Sequence, residues 1–246
     1  MRIPEGHRHD ATQAFRQVLN AAVKWRVIPE SPAKLIRNPL PKREEIRPFE
    51  TWADVDAVAV ELGPTLGPIA VFATATGLRP EEWLALEWRD VDLRERVVTV
   101  RRAYSGAVLR DWGKTDRSRR RVPLRQKAVD ALEQLPRRLD TRLVFPALRG
   151  GHLNLHNFRA RDWKPAIRAA GIVPERRIYD LRHSYATWSL AAGVSLFSLA
   201  RRMGTSVEMI DRTYGHLAAD AESYERELLD AFDEKNEAFG RLSGTE

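Results

Sequence analysis

This sequence predicts an α+β fold, mostly α-helical, with one small three-stranded antiparallel sheet. Three observations carry that expectation. Apolar residues recur at helical spacing through most of the chain, and glycine or proline punctuates those runs. Only the stretch 91–124 changes character, to short β-rich runs separated by turn residues. The chain has 246 residues, enough for one sizeable core plus a small attached piece.

Taken in order, 11–27 reads as an amphipathic helix, with Phe15, Val18, Leu19, Ala22 and Val23 on one stripe. The segment 28–49 follows, with Pro29, Pro32, Pro39, Pro41, Pro48 and the charge run Lys42-Arg43-Glu44-Glu45. Proline at that density suits neither a regular helix nor a central strand, so the stretch is expected to be a linker or boundary. What precedes it is too short to bury a core alone, and is expected to be the tail of a larger domain. Thr51 is the candidate N-cap of the next helix, with Asp54 in its first turn. A second helix is expected over 66–76, stopped by Gly77, and a third from Pro80 with Glu81 and Glu82 in its first turn. Arg79 then lies in the bend between two helices, aimed into a cleft.

The runs 97–100, 107–109 and 121–124 are expected to form the three strands, with Lys114 on the second turn. Further helices are expected over 126–135, 156–170, 180–192, 195–203, 206–214 and 219–238, with Gly171, Gly193, Gly204 and Gly215 as stops.

The net charge of +7 and a pI of about 10.0 favour a polyanionic partner, since each neutralised phosphate releases a counterion. Arginine far outnumbers lysine, which suits bidentate phosphate contacts, although a GC-rich genome gives the same bias. There is no cysteine, hence no disulfide framework and no thiolate metal site. No apolar stretch of about 18 residues able to span a bilayer is expected, and the N-terminus has no signal-peptide pattern, so the cytoplasm is the expected location.

The residues that carry chemistry fall in separate motifs. They are Thr76-Gly77-Leu78-Arg79-Pro80-Glu81-Glu82, the stretch 113–124 around Lys114, Asp180-Leu181-Arg182-His183, and the segment from Arg202-Met203-Gly204-Thr205 to Thr213-Tyr214-Gly215-His216. A phenol attacks phosphorus poorly until cations hold and neutralise the phosphate. Two arginine forks can do that work in place of a metal. No HExxH or paired-carboxylate motif is seen, and neither metal nor cofactor is expected.

From about 48 to 220 these motifs, in this order, resemble the tyrosine recombinases of the phage-integrase family. The resemblance implies that 48–246 is a catalytic domain of that family. It implies that 1–47 is the C-terminal remnant of a helical core-binding domain plus linker. Arg79 and Arg182 would clamp the scissile phosphate, and Tyr214 would attack to give a 3′-phosphotyrosyl intermediate. Lys114 would protonate the leaving 5′-oxygen. Glu82 would steady the site loops and offset the arginine charge, with a plain helix-dipole carboxylate as the alternative. Tyr224 is a rival to Tyr214, but its spacing fits poorly.

Two positions depart from the family pattern. Tyr179 and Thr205 stand where the family usually has histidine, or histidine or tryptophan. A phenol, titrating at about 10 in water, is a poor general base at neutral pH, and threonine is only a short donor. His183 and His216 neighbour the site and are candidate substitutes, although the first reading of each is structural.

The implied activity is site-specific DNA recombination on double-stranded attachment sites, as a homotetramer on DNA and a monomer when free. The alternative is an impaired or truncated integrase remnant that only binds DNA. A topoisomerase-like nicking enzyme shares the chemistry but fits the Leu-Arg-His motif less well. Without a complete core-binding domain, weak and salt-sensitive DNA binding is expected. The expected helix over 219–238, with Leu217, Tyr224, Leu228, Leu229, Ala231 and Phe232 supplying apolar contacts, would dock on a neighbouring protomer or pack on its own domain.

Overall fold

The structure, a computed structural model, describes residues 3, 7–38, 45–111, 119–215, 226–227 and 229–234. It divides into two compact units, Met1–Glu45 and Ile46–Glu246. In the first, α1 (Arg8–Lys24) buries none of its residues, so the stripe from Phe15 to Val23 builds no core there. The helix stops at Lys24 because Arg26 turns left-handed (φ 59°) and Val27 donates back to the carbonyl of Ala22 at 2.8 Å.

The second unit opens with the expected cap. Thr51 Oγ1 accepts from the Asp54 amide at 3.3 Å, and Asp54 Oδ2 accepts from the Thr51 amide at 2.9 Å. Helix α2 (Trp52–Thr76) then bends at Gly63 (φ 75°, ψ 177°) into two arms, which are the two helices the sequence predicts. An 18-residue window of α2 has a mean hydropathy of 1.4, long and apolar enough by composition to cross a membrane. The expectation that no such stretch exists is therefore corrected. The reason is that α2 is a core helix: Ile69, Ala70, Phe72, Ala73 and Ala75 of its second arm are all buried.

After the short α3 (Pro80–Leu84) and a 3₁₀ turn at Trp88–Asp90 comes the β region. Its three-stranded antiparallel sheet is built from β1 (Val91–Asp92), β2 (Val97–Val100) and β5 (Arg120–Pro123), in the order β1-β2-β5. Strands β3 (Arg102–Ser105) and β4 (Val108–Asp111) pair with each other as a separate hairpin. The run 107–109 is thus not a strand of the main sheet, and 91–92 takes its place. The cause lies at Arg102, whose buried guanidinium reaches Glu87 at 2.8 Å and also pairs with Asp90. That inward pull redirects the chain one residue after β2. The segment 112–118, with Lys114, lies outside the described residues, as do Leu217, Tyr224, Leu228 and most of 219–238.

The remaining helices are α4 (Gln126–Glu133), α5 (Leu155–Phe158), α6 (Lys164–Ala169), α7 (Asp180–Ala191), α8 (Leu196–Met203) and α9 (Val207–Tyr214). A π-helical turn, Arg159–Trp163, joins α5 to α6, so the expected helix over 156–170 is one continuous but uneven run. Two apolar clusters organise the unit. The large one is threaded by aromatic contacts from Phe49 to Trp163, Phe158, Trp83, Phe145 and Phe72, with centroid separations between 6.4 and 5.1 Å. The small one joins Tyr185 and Ala186 of α7, Leu199, Ala200 and Met203 of α8, and Ile210 and Tyr214 of α9. Leu181 of α7 belongs to the large cluster, so α7 is a wall shared by both.

The bend in α2 brings its arms into close contact. A Cβ on Gly67 would lie 2.2 Å from the Ala59 carbonyl oxygen, a backbone atom that no rotamer change relieves. Gly67→Ala is therefore expected to lose about 1–3 kcal/mol, read as a lower midpoint in urea unfolding.

Candidate active site

The site forms where the C-terminal end of α8 meets the bend between α2 and α3. A helix leaves its last carbonyls without intrahelical partners. Here the amides of Gly204 and Thr205 turn back to Arg201 and Ala200 at 3.3 and 3.0 Å. The next three carbonyls each take a guanidinium group. Arg120 Nε donates to Arg202 O at 2.8 Å, Arg182 Nη2 to Met203 O at 2.7 Å, and Arg79 Nη2 to Gly204 O at 2.9 Å. The partial negative charge of a helix C-terminus suits cations at this position. Gly204 is in the left-handed region (φ 62°), and a Cβ there would lie 2.9 Å from the Arg120 guanidinium, so glycine is required twice over.

Each arginine is delivered by a different local device. Gly77 ends α2 in the left-handed region (φ 65°), with the Tyr185 ring where a Cβ would stand, and its carbonyl accepts from Arg182 Nη1. Arg79 precedes Pro80, whose fixed φ starts α3 and holds Arg79 extended (φ −69°, ψ 152°). Arg120 occupies the first position of β5, on the same side as the buried Val122. Arg182 lies in the first turn of α7 and is itself buried.

Glu82 ties this array together. Its side chain is 1% exposed and accepts from the Arg79 amide at 2.8 Å, from Arg79 Nη1 at 3.0 Å, and from both terminal nitrogens of Arg120 at 2.9 and 2.6 Å. Burial pushes this carboxyl up, but the hydrogen bonds and charge of Arg120, with those of Arg79, hold it below the ordinary carboxylate value. Arg182 is lowered to about 10, first by burial and then by repulsion from Arg79 and Arg120. It remains a cation at neutral pH. Arg79 is the more open arm of the pair, with its side chain 28% exposed.

Tyr214 ends α9 and is buried within the small cluster. Its hydroxyl hydrogen-bonds to Nδ1 of His183, the residue after Arg182 on α7. Burial raises the phenol above its ordinary value, and the nearby charge of Arg182 opposes that rise. Burial also lowers His183 to about 4, reinforced by Arg177 and Arg182 and opposed by Asp180. The imidazole is therefore neutral at neutral pH. Tyr179, one turn before His183, is half-exposed and stacks edge-on against it, with ring centroids 5.2 Å apart.

The structure thus gathers Arg79, Glu82, Arg182 and Thr205 around the end of α8, and sets Tyr214 and Tyr179 around His183. Thr205 caps α8 through its amide, and its hydroxyl has no hydrogen-bond partner among the described residues. Lys114 and His216 lie outside the described residues. Sequence assigns no role to Arg120 and only a secondary one to His183. Arg120 is visible there only as one arginine in a run, although counting inward from Val122 with period two singles it out. His183 reads first as structural, and its contact with Tyr214 depends on the packing of α9 against α7. No group of three or more histidines and carboxylates able to hold a metal ion occurs among the described residues.

Comparison with known proteins bears on this geometry. The sequence profile of the phage integrase family matches residues 67–221, a span that includes all of these positions. The integrase of Salmonella phage P22 is 29% identical over 216 residues, covering 83% of this chain and 52% of its own length. The chain spans about half the length of the curated relatives it matches. Among solved structures, the Tn1549 transposon integrase in complex with a circular intermediate DNA aligns with a TM-score of 0.70 at 17% identity. That alignment covers 88% of this chain and 78% of that one. A lambda integrase tetramer bound to a Holliday junction aligns with a TM-score of 0.59 at 16% identity, over 79% and 57% of the two chains. At such identities the structural likeness is one of fold.

Removing Arg120 would leave the Glu82 carboxylate buried with half of its partners gone. Arg120→Ala is expected to lose about 3–5 kcal/mol in denaturant unfolding. Because the Glu82 pKa is lower folded than unfolded, the unfolded chain takes up the proton first as pH falls. The contribution is complete above 4.5 and fades as pH drops below that value toward the folded pKa. Glu82→Gln is accordingly expected to flatten the acid side of the stability–pH curve, measured by thermal melts from pH 6 downward.

Proposed function

Because this chain belongs to the phage integrase family, we propose that it is a site-specific DNA recombinase that cuts and rejoins strands through a 3′-phosphotyrosyl link. One observation carries the reading. Arg79 and Arg182, 103 positions apart in sequence, are anchored on the adjacent carbonyls of Gly204 and Met203, and Arg182 is near enough to act by charge on the Tyr214 hydroxyl. Both terminal nitrogens of each fork are held, those of Arg79 by Glu82 and Gly204 and those of Arg182 by Gly77 and Met203, which fixes each plane in advance and suits stabilisation of a charged transition state without reorganisation.

In this reading Arg79 and Arg182 hold the non-bridging oxygens of the scissile phosphate. The Tyr214 oxygen forms a bond to phosphorus as the bond to the 5′-oxygen breaks, and Lys114 gives that oxygen a proton. Glu82 keeps the two clamp arginines and Arg120 from repelling one another apart. Thr205 offers a hydroxyl to the phosphate, and Tyr179 lies at the mouth of the site. Reversal of the same steps with a different 5′-hydroxyl rejoins the strand.

The partner is double-stranded DNA at specific attachment sites, in keeping with the net charge of +7. Assembly is as a homotetramer on DNA, by analogy with the lambda integrase tetramer, and the work is done in the cytoplasm. We read 48–246 as the catalytic domain and 1–47 as the end of a core-binding domain with its linker. The change of compact unit at Glu45 supports that boundary.

The test is a pool of duplexes with a randomised core, nicked beside each potential cleavage position so that cleaved ends diffuse away. The wild-type chain is expected to accumulate a covalent protein–DNA adduct resolvable on a denaturing gel. Tyr214→Phe is expected to bind the same DNA and give none, and Arg182→Ala to reduce adduct formation by at least about 100-fold. DNA binding without an adduct in the wild type would instead favour a remnant that only binds. An adduct persisting in Tyr214→Phe would move the nucleophile elsewhere, with Tyr224 the first residue to examine.

A further inference from the structure

We infer that His183, and neither Tyr179 nor Thr205, is the group that takes the proton from the attacking tyrosine. The inference rests on the reading of Tyr214 as nucleophile and deepens it. Attack by a phenol requires the hydroxyl proton to leave as the oxygen–phosphorus bond forms. Burial makes that loss harder here, because the Tyr214 phenolate is poorly solvated. A base must therefore lie within hydrogen-bond reach of the hydroxyl.

Among the described residues, the groups around that hydroxyl are few. Asp180 is close enough to act on Tyr214 by charge, but its carboxylate is already held by Arg177, through the amide at 2.7 Å and the guanidinium at 3.0 Å. Arg182 is a donor committed to Met203 and Gly77. Tyr179 meets His183 edge-on and carries only a phenol of its own. His183 alone among these has a ring nitrogen bonded to the Tyr214 oxygen, with ring centroids 5.8 Å apart. Its position on α7 also suits that role, since successive residues send Arg182 to the end of α8 and His183 to the end of α9.

With Nε2 carrying the ring hydrogen, Nδ1 accepts the phenol proton while the Tyr214 oxygen bonds to phosphorus. The 5′-oxygen departs with a proton from a different donor. On rejoining, the imidazolium returns its proton to the phenol oxygen as the oxygen–phosphorus bond breaks, so the proton count closes. The phosphate held by Arg79 and Arg182 supplies the anion that steadies the imidazolium between these steps. Tyr179 acts as a positioning residue, its ring edge fixing the imidazole plane.

The experiment uses the full chain and a nicked duplex selected from the pool above. It measures single-turnover adduct formation on that duplex and on a version with sulfur replacing the bridging 5′-oxygen, a leaving group that departs without a proton. His183→Ala and His183→Gln are expected to slow adduct formation by about 100-fold or more on both substrates while DNA binding holds, since general-base catalysis contributes about 10²–10⁴-fold. Added imidazole is expected to restore part of the rate to His183→Ala. The inference is overturned if both variants cut at the wild-type rate. It is equally overturned if the sulfur substrate restores them, which makes His183 an acid for the leaving group, or if DNA binding is lost with the rate, which makes it structural. Absence of any adduct in the wild type removes the recombinase reading itself, and this inference with it.

Discussion

Three guanidinium groups on three successive carbonyls at one helix end are the constraint around which the site is organised. Arg202, Met203 and Gly204 present their oxygens in a row because α8 stops at a left-handed glycine. The arginines that answer come from β5, α7 and the α2–α3 bend, elements with little else in common at that point. Three cations this close repel one another, and Arg182 is lowered in pKa partly for that reason. The buried carboxylate of Glu82 compensates by bonding two of them, Arg79 and Arg120, at once. Neither the carboxylate nor the cations would tolerate burial alone.

That arrangement explains why much of the helical frame is legible in the sequence. Caps and stops are local: Thr51 with Asp54, Gly77, and Pro80 followed by Glu82 each state their role within four residues. The bend that carries Arg79 is legible for the same reason. The strand partners are not, because β2 has no local way of announcing whether it pairs with β3 or β5. The choice is made by Arg102, which turns inward onto Glu87 and Asp90, residues ten and more positions earlier.

Within the site, the residues legible from sequence are those set in long motifs. Arg79, Glu82 and Arg182 are brought to the same helix end, and Thr205 follows directly after it. The roles of Arg120 and of His183, which the sequence offers only as a candidate substitute, are subject to the same limitation as the strands. One arginine in a run gains meaning only when strand register selects which side chain faces inward. A histidine beside an arginine on α7 gains meaning only when another helix, α9, places a phenol against it. Tertiary packing assigns both roles.

Met203 belongs to both halves of this arrangement. Its side chain fills the small apolar cluster around Tyr214, while its carbonyl holds Arg182. Helix α8 is thereby an interlock: a slight shift along its axis disturbs the seat of the phenol and the anchorage of the guanidinium row together. Such coupling disfavours a half-armed state in which one part is ready and the other displaced. Any displacement of this single short helix would move both parts in one motion.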